Sequence, residues 1–297
     1  MKVVLAEKPS VARDIAKVLG ARSKKDGYIE GKGYQVTWAF GHLVELPPPD
    51  AYDPSLKNWT LAPLPFIPDK FKLKISSMKG VKKQFNTIKK LFSAASEIIC
   101  ATDAGREGEL IYRYIAQLCH VKSKPAKRLW ISSLTDSAIR KGFAQLKPLS
   151  HFNSLADDAR CRSEADWIIG LNATRAYTVK HSHGRGVLSV GRVQTPVLAM
   201  IVNRDQEIHN FKPEDYWELW TTYNGAKFKH TEDRFKKEAE TQLILQKIWD
   251  QAFKVTDISE KKTSQMPPKL FDLTELQRVM NRKAGFPATK TLSVAQS

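Results

Sequence analysis

The sequence predicts an α/β protein with a mainly parallel sheet covered by helices on both faces, followed by a helical segment and an antiparallel β segment. Two observations predict the sheet. The runs Val3–Ala6 and Ile98–Ala101 are short and wholly apolar, which is typical of strands that are buried on both faces. Amphipathic helical patterns alternate with strand-like runs up to about residue 150, and this alternation indicates parallel strands.

Each element of this first region has its own local signal. After the first apolar run, a helical spacing of apolar residues predicts a helix that Ser10 caps and Gly20 ends. The same reasoning predicts strands at 34–40 and 129–131, and helices at 81–92, at 110–118 and after the cap Thr135.

Beyond residue 150 the pattern changes twice. Residues 155–177 and 195–203 predict helices, whereas Tyr216–Tyr223 alternates between apolar and polar side chains with the period of a strand. We expect Phe253–Ile258 to pair with it in an antiparallel β segment. Pro267 and Pro268 then interrupt the chain, and a last helix begins near Leu273.

The charge balance favours a polyanionic partner. The 297 residues include 48 Lys plus Arg against 31 Asp plus Glu, a net charge of +17. Eight lysines lie between Asp69 and Lys90, where Asp69 is the single acid, although such a run also occurs on simple solvated surfaces. Three cysteines without a CxxC pair predict a reduced compartment and no structural zinc. No apolar run approaches the roughly 20 residues of a membrane span, and we expect a cytoplasmic protein.

Acidic side chains follow both apolar runs. Glu7 ends the first, and Asp103 and Glu107 come after the second. Because ligands of open α/β sheets bind at the carboxyl ends of the strands, we expect these three carboxylates to converge on Mg²⁺. An ion held there can bind phosphate oxygens and support phosphoryl transfer. Acids after a strand often only cap the next helix, but the neighbouring Glu7-Lys8 pair favours the metal site.

The sequence motifs of the chain also resemble those of a known domain family. A strand ending in Glu, followed by a strand ending in a DxDxE-like triplet, is similar to the Toprim domain of topoisomerases, primases and some nucleases. The chain as a whole resembles the type IA DNA topoisomerases of the bacterial topoisomerase III group in four phrases, which occur in the family's order: AEKPSVARDIAKVLG, AFGHLVELPPPDAYD, ATDAGREGELIYRYI and SVGRVQTPVLAMIVNRDQEIHNF.

This resemblance implies a domain order and an activity. It implies a Toprim domain at 1–150, first segments of a helical DNA-binding domain at 151–214 and of a β arch domain at 215–268, and the start of a return segment at 269–297. The implied enzyme is an isomerase that requires Mg²⁺ but no ATP, cleaves one DNA strand, passes another strand through and religates the break. We expect it to act as a monomer in the bacterial cytoplasm or nucleoid, preferentially on single-stranded DNA.

The resemblance also implies site residues. Glu7, Lys8, Asp103 and Glu107 would be catalytic; Glu7, Asp103 and Glu107 would bind the metal, and Lys8 would neutralise the cleaved phosphate. The residues expected to contact DNA are Trp59, Arg162, Asp166, Trp167, Arg175, Arg185, Ser189, Val190, Gly191, Arg192, Val193, Gln194 and Thr195.

Residue chemistry gives reasons for part of this set. Arg162 and Asp166 lie four apart on one helical face, beside Trp167, whose ring could stack on a base. An ordinary ion pair next to a buried tryptophan would give the same pattern. Gly191 permits close backbone approach and Arg192 can bind a phosphate, although a glycine turn before a helix is the simpler interpretation. His42, in the phrase FGHL, is expected to make a structural hydrogen bond.

The sequence departs from the family pattern at two points. Gly105 stands in place of the middle acid of DxDxE, so the missing oxygen must come from water, a DNA phosphate or Glu109. The family's nucleophile is a tyrosine in a phrase like ITYPRTDS, and none of the eight tyrosines here has that setting. Because the chain stops within a helical pattern, we expect an amino-terminal fragment that is inactive alone. Two alternatives stay open: another Toprim nuclease or primase, and a module that only binds single-stranded DNA.

Overall fold

The computed structural model describes residues 1–121, 123–232, 234–252 and 254–296. The chain forms two compact units, Met1–Met200 and the residues from Ile201 onward. The candidate site belongs to the first unit.

The first unit is built on a seven-stranded sheet. Its strands are β1 (Lys2–Ala6), β2 (Ser23–Lys25), β3 (Tyr28–Gly31), β4 (Tyr34–Trp38), β7 (Glu97–Ala101), β8 (Ala126–Arg128) and β9 (Lys147–Pro148), in the spatial order β2-β3-β4-β1-β7-β8-β9. The four central strands are parallel, and the antiparallel strands lie at the edges. A separate two-stranded sheet joins β5 (Val44–Glu45) to β6 (Lys74–Ile75).

Helices cover both faces of this sheet, as predicted. They are α1 (Pro9–Leu19), α2 (Val81–Ala94), α3 (Arg106–Leu118), α4 (Asp136–Ala144) and α5 (Asn153–His181). Alternate residues of β1 and β7 enter two separate cores, one with α2 and α3 and the other with α1 and α4. Burial on both faces explains why these strands are continuous apolar runs.

The helix ends confirm two predicted caps and correct one. Gly20 ends α1 with φ 75°, a left-handed conformation that favours glycine, and the Thr135 side chain accepts a hydrogen bond from the amide of Ala138 at the start of α4. The prediction that Ser10 caps α1 is wrong. Lys8 is the N-cap without a side-chain hydrogen bond, and Pro9 occupies the first helical position, where its missing N–H costs nothing.

One strand lies three residues earlier than predicted. The apolar Leu129–Ile131 was the expected strand, yet β8 ends at Arg128. The polar residues of β8, Lys127 and Arg128, pair with Ile99 and Cys100, and the fully buried Arg128 makes several hydrogen bonds there. The hydrogen bonds of the polar residues within the sheet, rather than the apolar character of the sequence, therefore determine the position of this strand.

The second unit contains one hairpin and three complete helices among its described residues. The hairpin joins β10 (Trp220–Tyr223) to β11 (Ala226–Lys229), and the helices are α7 (Glu238–Ile248), α8 (Leu273–Ala284) and α9 (Ala288–Gln296); α6 (Gln194–His209) spans the boundary between the units. The expected pairing of 253–258 with the first strand is wrong for residues 254–258, which form no strand, whereas Phe253 lies outside the described residues. The partner is β11, because Asn224 and Gly225 adopt φ 47° and 79° in a tight turn.

Within the described parts of the chain, no helix combines the length and the apolar character that crossing a bilayer requires.

Candidate functional site

Two of the three predicted acids meet at the carboxyl ends of β1 and β7. The parallel register pairs Ala6 with Ala101, so Glu7 and Asp103 follow neighbouring strands at the same edge. The Asp103 amide donates a hydrogen bond to Glu7 Oε2 at 3.2 Å. The Lys8 ammonium lies 3.1 Å from Asp103 Oδ2 and 3.7 Å from Glu7 Oε1. Its hydrogen bond to Asp103, followed by the charges of Asp103 and Glu7, raises the pKa of Lys8 above its ordinary value.

Glu107 lies in the first turn of α3 but is turned toward another partner. Its Oε1 is hydrogen-bonded to Nε2 of His42, which follows β4. In the described parts of the chain, no three His, Cys, Asp or Glu side chains are grouped as metal ligands. The expected convergence of three acids is therefore met only for Glu7 and Asp103. Carboxylates repel one another, and here Asp103 is paired with Lys8 while Glu107 is paired with His42.

The position of the missing middle acid is open space. Gly105 is the N-cap of α3 with an extended backbone, and a Cβ added there would meet no atom within 4 Å. Glu109 cannot replace the missing oxygen, because its side chain is fully buried and is paired with Arg113 and Arg128. The suggestion that Glu109 supplies a ligand is therefore wrong.

Arg128 organises the backbone that carries Asp103. Its Nη1 donates to the carbonyl of Thr102 at 2.7 Å and to those of Cys100 and Leu129 at 3.3 and 3.2 Å, and its Nη2 donates to the carbonyl of Asp103 at 2.7 Å. Sequence reasoning missed this residue. The sequence did contain a signal, since an arginine next to the apolar run at 129 must either bury its charged group or turn it away from the apolar surroundings.

A cleft of about 480 Å³ opens beside Glu107. Four residues at the sheet edge and on α3 line one side, and four residues of α5 line the other: His42, Arg106, Glu107, Leu110, Ala159, Arg162, Ser163 and Asp166. Arg106 bridges the two sides through an ion pair with Asp158 at 3.2 Å. The cleft thus places the carboxylates of Glu107 and Asp166 beside Arg106 and Arg162, which can bind phosphate.

The segment Ser189–Thr195 is tied to α5. Thr174 Oγ1 accepts a hydrogen bond from the Val190 amide at 2.9 Å, and Thr195 Oγ1 accepts one from the Gly191 amide at 3.0 Å. Arg192 binds both carboxylate oxygens of Asp166, at 2.7 and 3.1 Å. Asp166 thus forms its ion pair with Arg192, so the alternative interpretation of an ordinary i,i+4 pair with Arg162 is not met, and the hydrogen bonding to Arg192 lowers the pKa of the Asp166 carboxyl.

The remaining members of Ser189–Thr195 lie around this pair. Gln194 begins α6, and its side chain would be the nearest contact of a Cβ at Gly191, whereas Ser189 and Val193 are exposed. Thr174 was not identified from the sequence. It follows Asn172 and Ala173 in an ordinary helical pattern, so no local signal distinguishes it.

Two predicted DNA contacts are used in internal packing instead. The Trp167 ring lies 5.7 Å from that of Tyr52 and 5.7 Å from that of Phe71, and its indole N–H donates to the Pro47 carbonyl. Arg175 is buried and donates to the Leu56 carbonyl at 2.6 Å. These contacts oppose the expected stacking of Trp167 on a base and the expected binding of DNA by Arg175.

The two weaker candidates are more accessible. Trp59 is 39% exposed, and one of its faces covers the Arg175 guanidinium at 5.1 Å. Arg185 is exposed and lies between α5 and the segment Ser189–Thr195.

Comparison with known proteins gives consistent matches along the chain. A family profile for the Toprim domain matches residues 2–134, and a profile described as DNA topoisomerase matches residues 150–297. The chain is 47% identical over 307 residues to a protein of Bacillus cereus named DNA topoisomerase 3, and 44% identical over 301 residues to its namesake in Bacillus subtilis. Each alignment covers 99% of this chain, but only 40% and 41% of those relatives.

A solved structure supports the fold. Full-length topoisomerase I from Thermotoga maritima aligns with a TM-score of 0.63 over 99% of this chain and 45% of that chain, at 23% identity. The chain thus spans less than half the length of the curated relatives and of the solved protein that it matches. The two family profiles and the curated relatives together establish that the chain belongs to the type IA DNA topoisomerase family, in which it is similar to the DNA topoisomerase 3 proteins.

Proposed function

We propose that this chain supplies the metal-binding and DNA-binding part of an enzyme that changes DNA topology by transient cleavage of one strand. One observation carries the proposal: Glu7, Lys8 and Asp103 meet at the end of two parallel strands, and Glu107, four residues after Asp103, lines a cleft whose far side is the arginine-bearing helix α5. Carboxylates beside phosphate-binding arginines suit chemistry on a phosphodiester. We take the predicted domain boundaries, at 150, 214 and 268, as part of this proposal.

The proposed reaction conserves the energy of the broken bond. A tyrosine oxygen attacks a DNA phosphate, a phosphate–tyrosine bond forms, and the bond from phosphorus to a sugar oxygen breaks, with a proton passing to that oxygen. Religation reverses these steps after another strand has passed. Because the phosphate–tyrosine bond replaces one phosphate ester by another, no ATP is needed, and either relaxation or decatenation can follow.

Glu7, Asp103 and Glu107 are the proposed ligands of Mg²⁺. The donor set suits a hard divalent ion, since all three are carboxylates at one edge of the sheet. Glu107 would have to exchange His42 for the ion. Lys8 is now paired with Asp103, and once Asp103 binds the ion the Lys8 ammonium would be available to a phosphate. A bound Mg²⁺ would supply positive charge beside the phosphate, while the Lys8 ammonium would add a second positive charge and a proton donor there.

The segment Ser189–Thr195, Arg162 and Asp166 are proposed to bind single-stranded DNA along α5. Arg162 lines the cleft, and Arg192 can exchange Asp166 for a phosphate because both side chains of this ion pair are exposed to solvent, where water can replace the lost contacts. Trp59 and Arg185 are proposed as outer contacts, and DNA binding by a monomer at the nucleoid in the cytoplasm is part of the same proposal.

No nucleophile is proposed among the tyrosines of the first unit. Tyr112 and Tyr114 on α3 are buried, and burial raises the pKa of each phenol, which opposes formation of the phenolate. The decisive experiment is a covalent adduct assay with labelled single-stranded DNA and Mg²⁺. We expect an adduct with a longer form of the protein that includes the tyrosine motif, and none with the 297-residue chain.

The same assay separates the alternatives. Nicking of DNA by the 297-residue chain with Mg²⁺ alone would favour another Toprim nuclease. Tight binding by both forms, without an adduct in either, would favour a module that only sequesters single-stranded DNA.

Restoring the middle acid is expected to strengthen metal binding. A Gly105→Asp substitution adds a fourth carboxylate where a Cβ meets no atom within 4 Å, so we expect Mg²⁺ affinity to rise by roughly tenfold. Titration calorimetry measures the change, and Gly105→Asn is the matched control, because it has nearly the same shape without the charge. Equal affinities for the two variants would contradict the proposed metal site.

A further inference from the structure

The outer face of α2 is composed almost entirely of hydrogen-bond donors. The helix buries one apolar stripe, and the side chains exposed on its other side are Lys82, Lys83, Asn86, Lys89, Lys90, Ser93 and Ala94. Neither Asp nor Glu occurs in the helix, and Lys79 precedes it. We define the lysine face as Lys79, Lys82, Lys83, Lys89 and Lys90.

The charges of this face are largely uncompensated. Lys83 pairs with Asp26 at 2.7 Å, but both side chains are more than 70% exposed, so that contact is weak. The other four lysines form no ion pair with any residue that the structure describes. Beyond the last turn, Lys124 binds the carbonyls of Ser93 and Ala95 at 2.7 and 2.8 Å and adds a further cation. An array of like charges on one helix opposes folding slightly and attracts anions.

The lysine face begins near the carboxyl ends of the central strands, where the acids lie. Gln84, in the first turn of α2, donates a hydrogen bond to the carbonyl of Trp38 at 2.7 Å. Trp38 ends β4 and is paired with Ala6, the residue before Glu7. From this edge the lysines continue along the helix axis, with Lys82 and Lys89 separated by two turns, about 10 Å.

We propose that the lysine face binds the sugar–phosphate backbone of duplex DNA, as a second contact distinct from the cleft along α5. It rests on the proposed function only in taking DNA as the partner. Proteins that bind single strands without sequence preference combine positive charge with aromatic stacking platforms, and α2 exposes no aromatic side chain. A duplex is a rigid line of phosphates with a denser charge, which a row of lysines along one helix can match without reading bases.

Charge-neutral substitution tests the lysine face. The triple variant Lys82→Gln, Lys89→Gln and Lys90→Gln is compared with a control that removes the same charge elsewhere, Lys17→Gln, Lys141→Gln and Lys147→Gln. Fluorescence anisotropy with a blunt duplex and with a single strand, in EDTA and across a salt series, measures both affinities independently of the metal site. We expect the plot of log affinity for duplex against log salt to become shallower by about 3 in the first variant. Its single-strand affinity should change by less than twofold.

Three results would overturn the proposal. Equal losses of duplex affinity in the two variants would mean that net charge, rather than this face, is responsible. Equal losses for duplex and single strand would assign the lysines to the cleft. Loss of binding to anionic lipid vesicles, with duplex affinity unchanged, would identify a membrane surface instead. The substituted side chains are exposed, and unchanged thermal unfolding of both variants excludes a folding defect.

Discussion

Replacing Gly108 by alanine is expected to displace Asp103 and abolish Mg²⁺ binding. Gly108 lies in the second half of the first turn of α3, directly against the backbone of the loop that carries Asp103. A Cβ at Gly108 would overlap the carbonyl oxygen of Asp103 and would lie only 2.8 Å from the amide nitrogen of Asp103. The Thr102 hydroxyl holds the same region by donating to the Gly108 carbonyl at 2.7 Å. Because the obstacle is backbone rather than a flexible side chain, the loop itself must move.

The cost of this overpacking is expected at about 1–3 kcal/mol of the free energy of unfolding. Urea unfolding measures it, and titration calorimetry with Mg²⁺ measures the effect on the site. Gly105→Ala is the matched control at the start of the same helix, since its Cβ meets no atom within 4 Å and its backbone is extended. Stability and metal affinity of Gly108→Ala that equal those of the control would show that Asp103 tolerates the shift and is not held by this close approach.

The sequence allowed the sheet and the ends of its central strands to be predicted because both depend on local patterns. Burial of β1 and β7 on both faces leaves an apolar run, and the acids stand where each run ends. The hairpin partner of β10 also has a local signal in the sequence. Asn224-Gly225 is a strong turn signal, and the error of pairing 253–258 came from giving weight to β-branched residues over turn chemistry.

The candidate site could be predicted only in part, because side-chain partners depend on long-range packing. That Glu7 and Asp103 share an edge follows from parallel pairing, but the choice of His42 as the partner of Glu107 joins residues 65 positions apart. The helix pattern around Trp167 and Arg175 did not reveal that the loop at 47–71 covers both, since that loop has no periodicity. His42 does make a hydrogen bond, as expected, although the sequence could not identify the acceptor.

Removing one partner of the buried pair between Glu109 and Arg128 is expected to produce the largest loss of stability in the chain. Both side chains are fully buried, and Arg128 Nε lies 3.1 Å from Glu109 Oε2. The two atoms form an ion pair without the alignment of a hydrogen bond, whereas the other nitrogens of Arg128 bind the carbonyls around Asp103. Glu109→Ala leaves a buried guanidinium without its anion, so we expect a loss of about 3–5 kcal/mol.

Urea unfolding of three variants distinguishes the stability that the charge pair contributes from the stability that the hydrogen-bonding geometry of the guanidinium contributes. Asp157→Ala is the control, because it breaks an exposed pair with Arg160 that contributes about 0–1 kcal/mol. Arg128→Lys keeps the charge, but an ammonium lacks the planar fork that reaches the carbonyls of both Thr102 and Asp103. We therefore expect Arg128→Lys to lose less stability than Glu109→Ala and yet to lose most of its Mg²⁺ affinity, since the Asp103 loop is no longer held. A Glu109→Ala loss below about 1 kcal/mol would mean that Arg113 or water neutralises the site, and unchanged metal affinity in Arg128→Lys would separate Arg128 from the positioning of Asp103.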